Sequence, residues 1–335
     1  MNVAALLDWY TAAQRPLPWR LEVSAYRTLV SELMCQQTRI DTVLPYFARF
    51  LAEFPTEAAL AAAPTERVLE LWSGLGYYSR ARNLQKAAQA VVAQGGFPRT
   101  IEGLRALPGV GPYTAGAIAS IAFGVDAPVV DGNVERVLAR WYAEERPAKA
   151  WLWSTAESLL PSGQAGAYNQ ALMELGATVC TPRGPKCLVC PVREGCGGVG
   201  APERYPAAKE KKAVPRSRAV AAWIVRDGAA LLVRRPEGGL LGGLWELPGG
   251  EGADAAALAA VLRRRIGAAV AAAEARGDVA HTFSHLHLDT TVFAASLAEE
   301  PTLAEDVRWV ALADIDGMAL STLARKTLRV AREAR

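Results

Sequence analysis

Through the first half of the chain, apolar residues recur every three or four positions in short runs broken by Pro and Gly: "PTEAALAAAPTERVLELWSGLG", "RARNLQKAAQAVVAQGG", "TAGAIASIAFG" and "GNVERVLARWYA". Val68, Leu71 and Trp72, and Val134, Val137, Leu138 and Trp141, mark the buried stripes, and the spacing predicts helices from Asp8 to about Ala177. Between Gly197 and Arg218 the period dissolves into Gly, Pro and Lys, the composition of a linker. Beyond it the period becomes two. "RAVAAWIV" and "AALLVRR" read as a hairpin closed by Asp227-Gly228. A helix "DAAALAAVLRRRIG" follows, with Asp254 as N-cap and Gly267 as its stop. Strands are expected in "DVAHTFSHLHLDTTVFAASL" and "DVRWVAL", and a last amphipathic helix in "ALSTLARKTLRVAREAR". The expected organisation is an all-α domain over residues 1–196, a linker over 197–218 and an α+β domain over 219–335.

The length of 335 residues agrees with two domains, at roughly 150 residues each. A chain that is 51% hydrophobic and 21% charged is ordinary globular material, which excludes the fibrous and disordered classes. A net charge of +3 permits a nucleic-acid partner without demanding one. "MNVAALLDWYTAAQ" has neither a basic leader nor a long apolar run, so an intracellular, cytoplasmic protein without a membrane span is expected.

Four of the five cysteines, Cys180, Cys187, Cys190 and Cys196, follow the spacing C-x6-C-x2-C-x5-C within seventeen residues. In a chain expected to stay inside the cell this argues for a metal centre over disulfides. Structural zinc is the plain alternative. Zinc pairs usually flank a longer finger, and four soft thiolates on one short loop suit a [4Fe-4S] cubane better. Cys35 stands alone on a helix and reads as a packed thiol.

"LPGVGPYTAG" crowds two prolines and two glycines into a turn that opens a helix. Unpaired amides after Gly109 and Gly111 could grip a phosphate, though the same turn could merely reverse the chain. Asp131 precedes "GNVERVLARW" and reads as its N-cap. Glu32 lies in "RTLVSELMCQQTRI", taken as one helix with an apolar stripe of Leu29, Leu33 and Ile40; Gln36 and Arg39 share its adjoining face, which makes a solvated flank the plain reading. Asn133, Gln36, Gln37, Tyr77 and Tyr78 also sit at glycine turns or helix starts, and both tyrosines could equally be core aromatics.

Together, "LPWR", "SELMCQQTRIDTVLPYF", "LWSGLGYYSRARNL", "LPGVGPYTAGAI", "VDGNVERVLAR", "NQALMELGATVC" and the cysteine loop resemble the helix-hairpin-helix DNA glycosylase superfamily, in its MutY-type adenine glycosylase branch. The resemblance implies base-excision repair: hydrolysis of the N-glycosidic bond of an adenine mispaired with 8-oxoguanine or guanine, leaving an abasic site. It implies that the "PGVG" turn grips DNA phosphates, with a monovalent cation on the carbonyls of Arg105, Leu107 and Val110, and that the adenine is flipped from the stack. Glu32 would then be the acid that protonates adenine N7, with a pKa raised by burial, and Asp131 the anion beneath C1′, with Asn133 and Tyr113 orienting them. Endonuclease III-type relatives carry a lysine at the place of Tyr113 and use it as a Schiff-base nucleophile; tyrosine cannot form that imine, so strand cleavage should be slight. Arg15, Leu17, Trp19, Arg20 and Gln170 would line the adenine pocket, and Gln37 and Tyr77 would wedge into the duplex near 8-oxoguanine. The expected partner is double-stranded DNA carrying such a mispair, bound by a monomer.

His281, His285 and His287 fall in "HTFSHLHL", where a strand would put them on one face with Phe283. No acidic or Cys partner clusters with them, which argues against a metal site. The segment resembles the loop with which adenine glycosylases touch 8-oxoguanine, implying Phe283, Ser284 and His285 as lesion readers. "GGLWELPGGEGADAAALAAVLRRRIG" resembles a Nudix box in outline, but Arg264 and Arg265 replace the expected Mg²⁺-binding glutamates. A fold retained for recognition, with hydrolysis lost, is the implication.

Overall fold

The computed structural model describes residues 1–208 and 213–333; residues 209–212 of the expected linker and 334–335 of the expected last helix lie outside the described residues. The chain forms two compact units, Met1–Ala62 with Asn83–Glu210, and Ala63–Arg82 with Lys211–Arg335. Among the described residues no helix is long and apolar enough to cross a membrane.

The first unit is helical. Leu6, Tyr10, Val134, Val137, Leu138, Tyr168, Leu172 and Leu175 close a common core, so the helices Val3–Ala13, Gly132–Trp141 and Ala165–Thr178 pack together. Small residues let helices approach where the site is built. A Cβ on Gly116 would stand 2.3 Å from the Pro128 carbonyl, and one on Gly176 2.6 Å from the Cβ of Asn133. The expected single helix over "RTLVSELMCQQTRI" is instead two. Ala25–Cys35 stops with Gln37 in the left-handed region at φ 56°, and Ile40 opens a new helix, Ile40–Glu53. Ile40 therefore does not extend the stripe of Leu29 and Leu33, and Arg39 does not share a helical face with Glu32.

In the second unit the strands are β1 Arg216–Trp223, β2 Val225–Arg226, β3 Ala229–Arg234, β4 Trp245–Glu246, β5 Gly249–Glu251, β6 Val270–Thr282, β7 His287–Leu297 and β8 Val307–Ala311. One sheet runs β5-β1-β7-β6 with β1 and β7 parallel; the other runs β2-β3-β4, with β8 beside β3. Asp227 (φ 50°) and Gly228 (φ 75°) close the expected turn, but its hairpin joins β2 to β3 only. The chain breaks at Ile224, and β1 belongs to the other sheet. The helix Ala255–Ile266 has the expected ends: Asp254 caps it by accepting from the Ala257 amide, and Gly267 turns left-handed at φ 69°. Its Leu258, Val261 and Leu262 share a core with Val220, Ala222 and Phe293. The helix Thr65–Trp72 is tied into this unit, because Glu66 Oε1 accepts from Trp245 Nε1 at 2.7 Å and from Arg308 Nη2 at 2.8 Å.

Candidate active site

Glu32 is carried by the helix Ala25–Cys35, which buries Leu29, Val30, Leu33 and Met34 and holds its own start with Ser24 as N-cap. The carboxyl is not a solvated flank. Tyr113 donates its hydroxyl to Glu32 Oε2 at 2.5 Å and lies 3.3 Å from Met173 Sδ. Burial pushes the Glu32 carboxyl up to about 7, against the pull of the Tyr113 hydrogen bond; the Asp131 charge adds to the rise and Arg20 opposes it. The Tyr113 hydroxyl is likewise raised, first by burial and then by the charges of Glu32 and Asp131. Glu32, Tyr113 and Asp131 thus share one electrostatic neighbourhood.

Asp131 caps the helix Gly132–Trp141. Its Oδ1 accepts from the amides of Asn133 (2.9 Å) and Val134 (2.7 Å), and its Oδ2 from Asn133 Nδ2 at 2.7 Å. Three donors at a helix N-terminus fix the position of this side chain. Asn133 is fixed in turn by Arg136, whose Nη2 donates to its Oδ1 at 2.9 Å. The same guanidinium donates to the carbonyls of Cys180 (2.8 Å) and Gly176 (2.6 Å). One turn on, the buried Arg140 donates to Cys180 Sγ at 3.3 Å. The Asp131 helix is therefore anchored on the cysteine loop.

Tyr113 stands at the start of the helix Pro112–Ala117, directly after the glycine turn. Gly109 has φ 75°, and a Cβ there would meet the Cβ of Asn83 at 2.5 Å, so this turn needs glycine on two counts. Gly111 opens on free space. The Leu107 carbonyl accepts from the Val110 amide at 3.1 Å.

Of the expected pocket residues, Arg15 and Arg20 converge on Glu174. Arg15 Nε and Nη2 donate to its Oε1 and Oε2 at 2.6 and 2.9 Å, and Arg20 Nη2 to Oε2 at 2.8 Å. Glu174 is fully buried; burial alone would raise its pKa, but the two arginines hold it below the ordinary value. Gln170 lies one turn before it, and Arg20 and Gln170 line a cavity of about 310 Å³ with Tyr10 and Gln14. Leu17 is buried, and Trp19 packs edge-on to Phe47 at 5.0 Å between ring centres; neither lines that cavity. Glu174, Arg136 and Met173 were not among the sequence candidates. A glutamate one turn after Gln170, between Met173 and Leu175, was the available signal for the first, and arginines four apart after Asp131 for the second.

Cys180, Cys187, Cys190 and Cys196 are free thiols and line one cavity, together with Arg140, Val179 and Pro185. Among the described residues no three His, Cys, Asp or Glu side chains converge on a single-ion site.

In the second unit the expected strand face of histidines does not exist. β6 ends at Thr282, Phe283 to Leu286 form a turn closed by the Phe283 amide on the Leu286 carbonyl (2.8 Å), and β7 starts at His287. The turn puts Phe283, Ser284 and His285 on a cleft of about 410 Å³ that Tyr77 also lines. Tyr77 is 46% exposed and has φ 47°. In the Nudix-like helix, Arg265 is spent internally, on Glu246 Oε1 (3.0 Å) and the Gly249 carbonyl (2.7 Å), while Arg235 holds Glu246 Oε2 at 2.9 Å. A carboxylate flanked by two guanidiniums is a poor magnesium ligand.

Residues 30–161 match the family described as HhH-GPD superfamily base excision DNA repair protein, and residues 219–330 match the NUDIX domain. The chain is 38% identical to the adenine DNA glycosylase of Homo sapiens over 97% of its own length and 73% of that protein. It is 37% identical to the adenine DNA glycosylase of Rattus norvegicus, over 98% and 78% of the two chains. Among solved structures, a thermostable thymine-DNA glycosylase superposes with a TM-score of 0.55 at 30% identity, over 58% of this chain and 94% of that one. With an adenine-glycosylase relative matched across nearly the whole chain, a helical base-excision domain and a Nudix-type domain behind it, the protein belongs to the adenine DNA glycosylase family.

Proposed function

We propose that the chain excises adenine from A:8-oxoguanine and, more weakly, A:guanine pairs in double-stranded DNA, with Glu32 as acid and Asp131 as counter-anion. The observation that carries this reading is the Tyr113–Glu32 hydrogen bond beside the fully capped Asp131. The bond between adenine N9 and C1′ is hard to break because its electron pair leaves on a poor anion. A proton from Glu32 to N7 makes the base a neutral leaving group, and the developing positive charge at C1′ faces Asp131. Water then adds to C1′, and the proton it loses restores the acid form of Glu32. A carboxyl titrating near 7 keeps a useful protonated fraction at neutral pH, and Tyr113 aims it. Tyr113 offers no amine for an imine, so the product is an abasic site in an intact strand.

In this reading Arg15, Leu17, Trp19, Arg20 and Gln170 bound the flipped adenine, and the buried Glu174 holds the two arginines in place. Gly109 and Gly111 admit DNA phosphates to the turn, with a monovalent cation on the carbonyls of Arg105, Leu107 and Val110. Gln37 and Tyr77 enter the duplex, and Phe283, Ser284 and His285 read 8-oxoguanine; the cleft that Tyr77 shares with that turn supports this. Cys180, Cys187, Cys190 and Cys196 would hold a [4Fe-4S] cluster. Four free thiols that line one cavity supply the soft ligand set such a cluster takes. The cluster would supply a rigid cross-link under Arg136 and Arg140, and so under the Asp131 helix.

The test is a labelled duplex with one A:8-oxoguanine pair, incubated with the enzyme and then with alkali. Cleavage at the adenine only after alkali is expected; an uncut strand would reject the reading.

A further inference from the structure

The loop that carries Tyr77 is not in a conformation that a free chain would keep. Gly74, Gly76 and Tyr77 have φ of 106°, 72° and 47°, three left-handed positions in four residues. Local contacts fix one side of it. The Gly76 carbonyl accepts from Trp72 Nε1 at 3.1 Å and from Arg80 Nη2 at 3.2 Å, and the Arg80 guanidinium lies 5.3 Å from the centre of the Tyr77 ring. The other side is fixed by the segment before the last helix. The Leu320 carbonyl accepts from Ser73 Oγ at 2.6 Å and from the Tyr78 hydroxyl at 3.1 Å. That hydroxyl in turn accepts from the Gly74 amide at 3.2 Å, and Ser73 Oγ from Arg325 Nη2 at 3.2 Å. Tyr78 is only 4% exposed, so water is poorly placed to replace its bonds.

Two hydroxyls flanking Tyr77 thus converge on one carbonyl of the sheet domain, and the same domain supplies Phe283, Ser284 and His285 to the cleft that Tyr77 lines. We infer that Ser73 and Tyr78 are positioning residues through which the Leu320 carbonyl fixes Tyr77, and that this fixing sets the preference for 8-oxoguanine over guanine opposite the adenine. The inference rests on the proposed role of the Tyr77 cleft in reading the lesion. Neither hydroxyl touches DNA in it. Each removes freedom from the ring that does, so its loss penalises the better-fitting mispair more than the poorer one.

The experiment measures Kd for duplexes carrying 2′-fluoro-2′-deoxyadenosine, which resists excision, opposite 8-oxoguanine and opposite guanine. Single-turnover rates at saturating enzyme on the cleavable A:8-oxoguanine duplex, and Tm, accompany it. Tyr78→Phe and Ser73→Ala should each lower the ratio of the guanine Kd to the 8-oxoguanine Kd by roughly 2- to 10-fold, the weight of one buried hydrogen bond. Ser73→Thr, which keeps a hydroxyl, should retain the wild-type ratio, and the saturating rate should hold in all three. Parallel weakening of both Kd values, with the ratio intact and Tm lowered, would mean that the hydroxyls only support the fold and would overturn the inference. A wild-type ratio of one would instead remove the lesion-reading role of the cleft, and the inference with it.

Discussion

The Tyr113 hydroxyl donates to Glu32 Oε2 at 2.5 Å although the two residues are 81 positions apart. A glycine turn delivers the first and an apolar helix the second, and the contact turns a surface-like glutamate into a candidate proton donor.

Because burial raises Glu32 to about 7, its protonated fraction falls through neutrality. The single-turnover rate on A:8-oxoguanine should therefore decline above about pH 7. Tyr113→Phe removes a hydrogen bond that favours the carboxylate, so the alkaline limb should move to higher pH. A limb that stays in place, or moves down, would exclude this coupling.

The same shift has a stability consequence. The folded protein holds the Glu32 proton up to about 7, while the unfolded chain releases it near the ordinary 4.5, so between these values the unfolded state binds fewer protons and stability falls as pH rises. Glu32→Gln cannot ionise and escapes that loss. Its unfolding free energy relative to wild type should improve by on the order of 2–3 kcal/mol from pH 5 to pH 8. Urea titrations at both pH values decide it, and a constant difference would contradict the raised pKa.

Gly176 leaves no room for a side chain, since a Cβ there would stand 2.6 Å from the Cβ of Asn133 and 3.1 Å from its backbone. Gly176→Ala should displace Asn133 and with it Asp131. Base release should fall on the order of 10- to 100-fold, the usual effect of ångström-scale misplacement, with DNA affinity largely kept. Equal losses in rate and affinity would point to general unfolding.

Much of this was legible in the sequence, and the gaps have definite causes. Asp131 could be read as a cap because an apolar run and then Gly132-Asn133 announce a helix start, and the hairpin because glycine and proline punctuate it. The buried setting of Glu32 could not be read, because a continuous helix would set Gln36 and Arg39 beside it and its partner Tyr113 is 81 residues away. Glu174 was missed because the arginines that neutralise it lie 159 and 154 residues away, so no local pattern pairs them. The break at Ile224 escaped because an unbroken apolar run from Ala219 to Val225 passes through it, and such a run does not say which sheet a residue joins. The turn at Phe283 to Leu286 was implied by the resemblance alone, because it contains no Gly, Pro, Asn or Asp to mark it.

The cysteine loop bears on catalysis through Arg136 and Arg140. Cys190→Ser should lower bound iron and the visible absorption of the purified protein, and should slow base release by loosening the Asp131 helix. Iron and sulfide analysis beside the duplex assay tests it; full activity without iron would detach the loop from the site.

The central claim is proton donation from Glu32 to adenine N7 before the glycosidic bond breaks, and it is tested most directly by a duplex in which the target adenine carries carbon in place of N7. The account predicts binding close to that of the normal duplex with no detectable base release by wild type. Release at the rate of the ordinary A:8-oxoguanine substrate would contradict it.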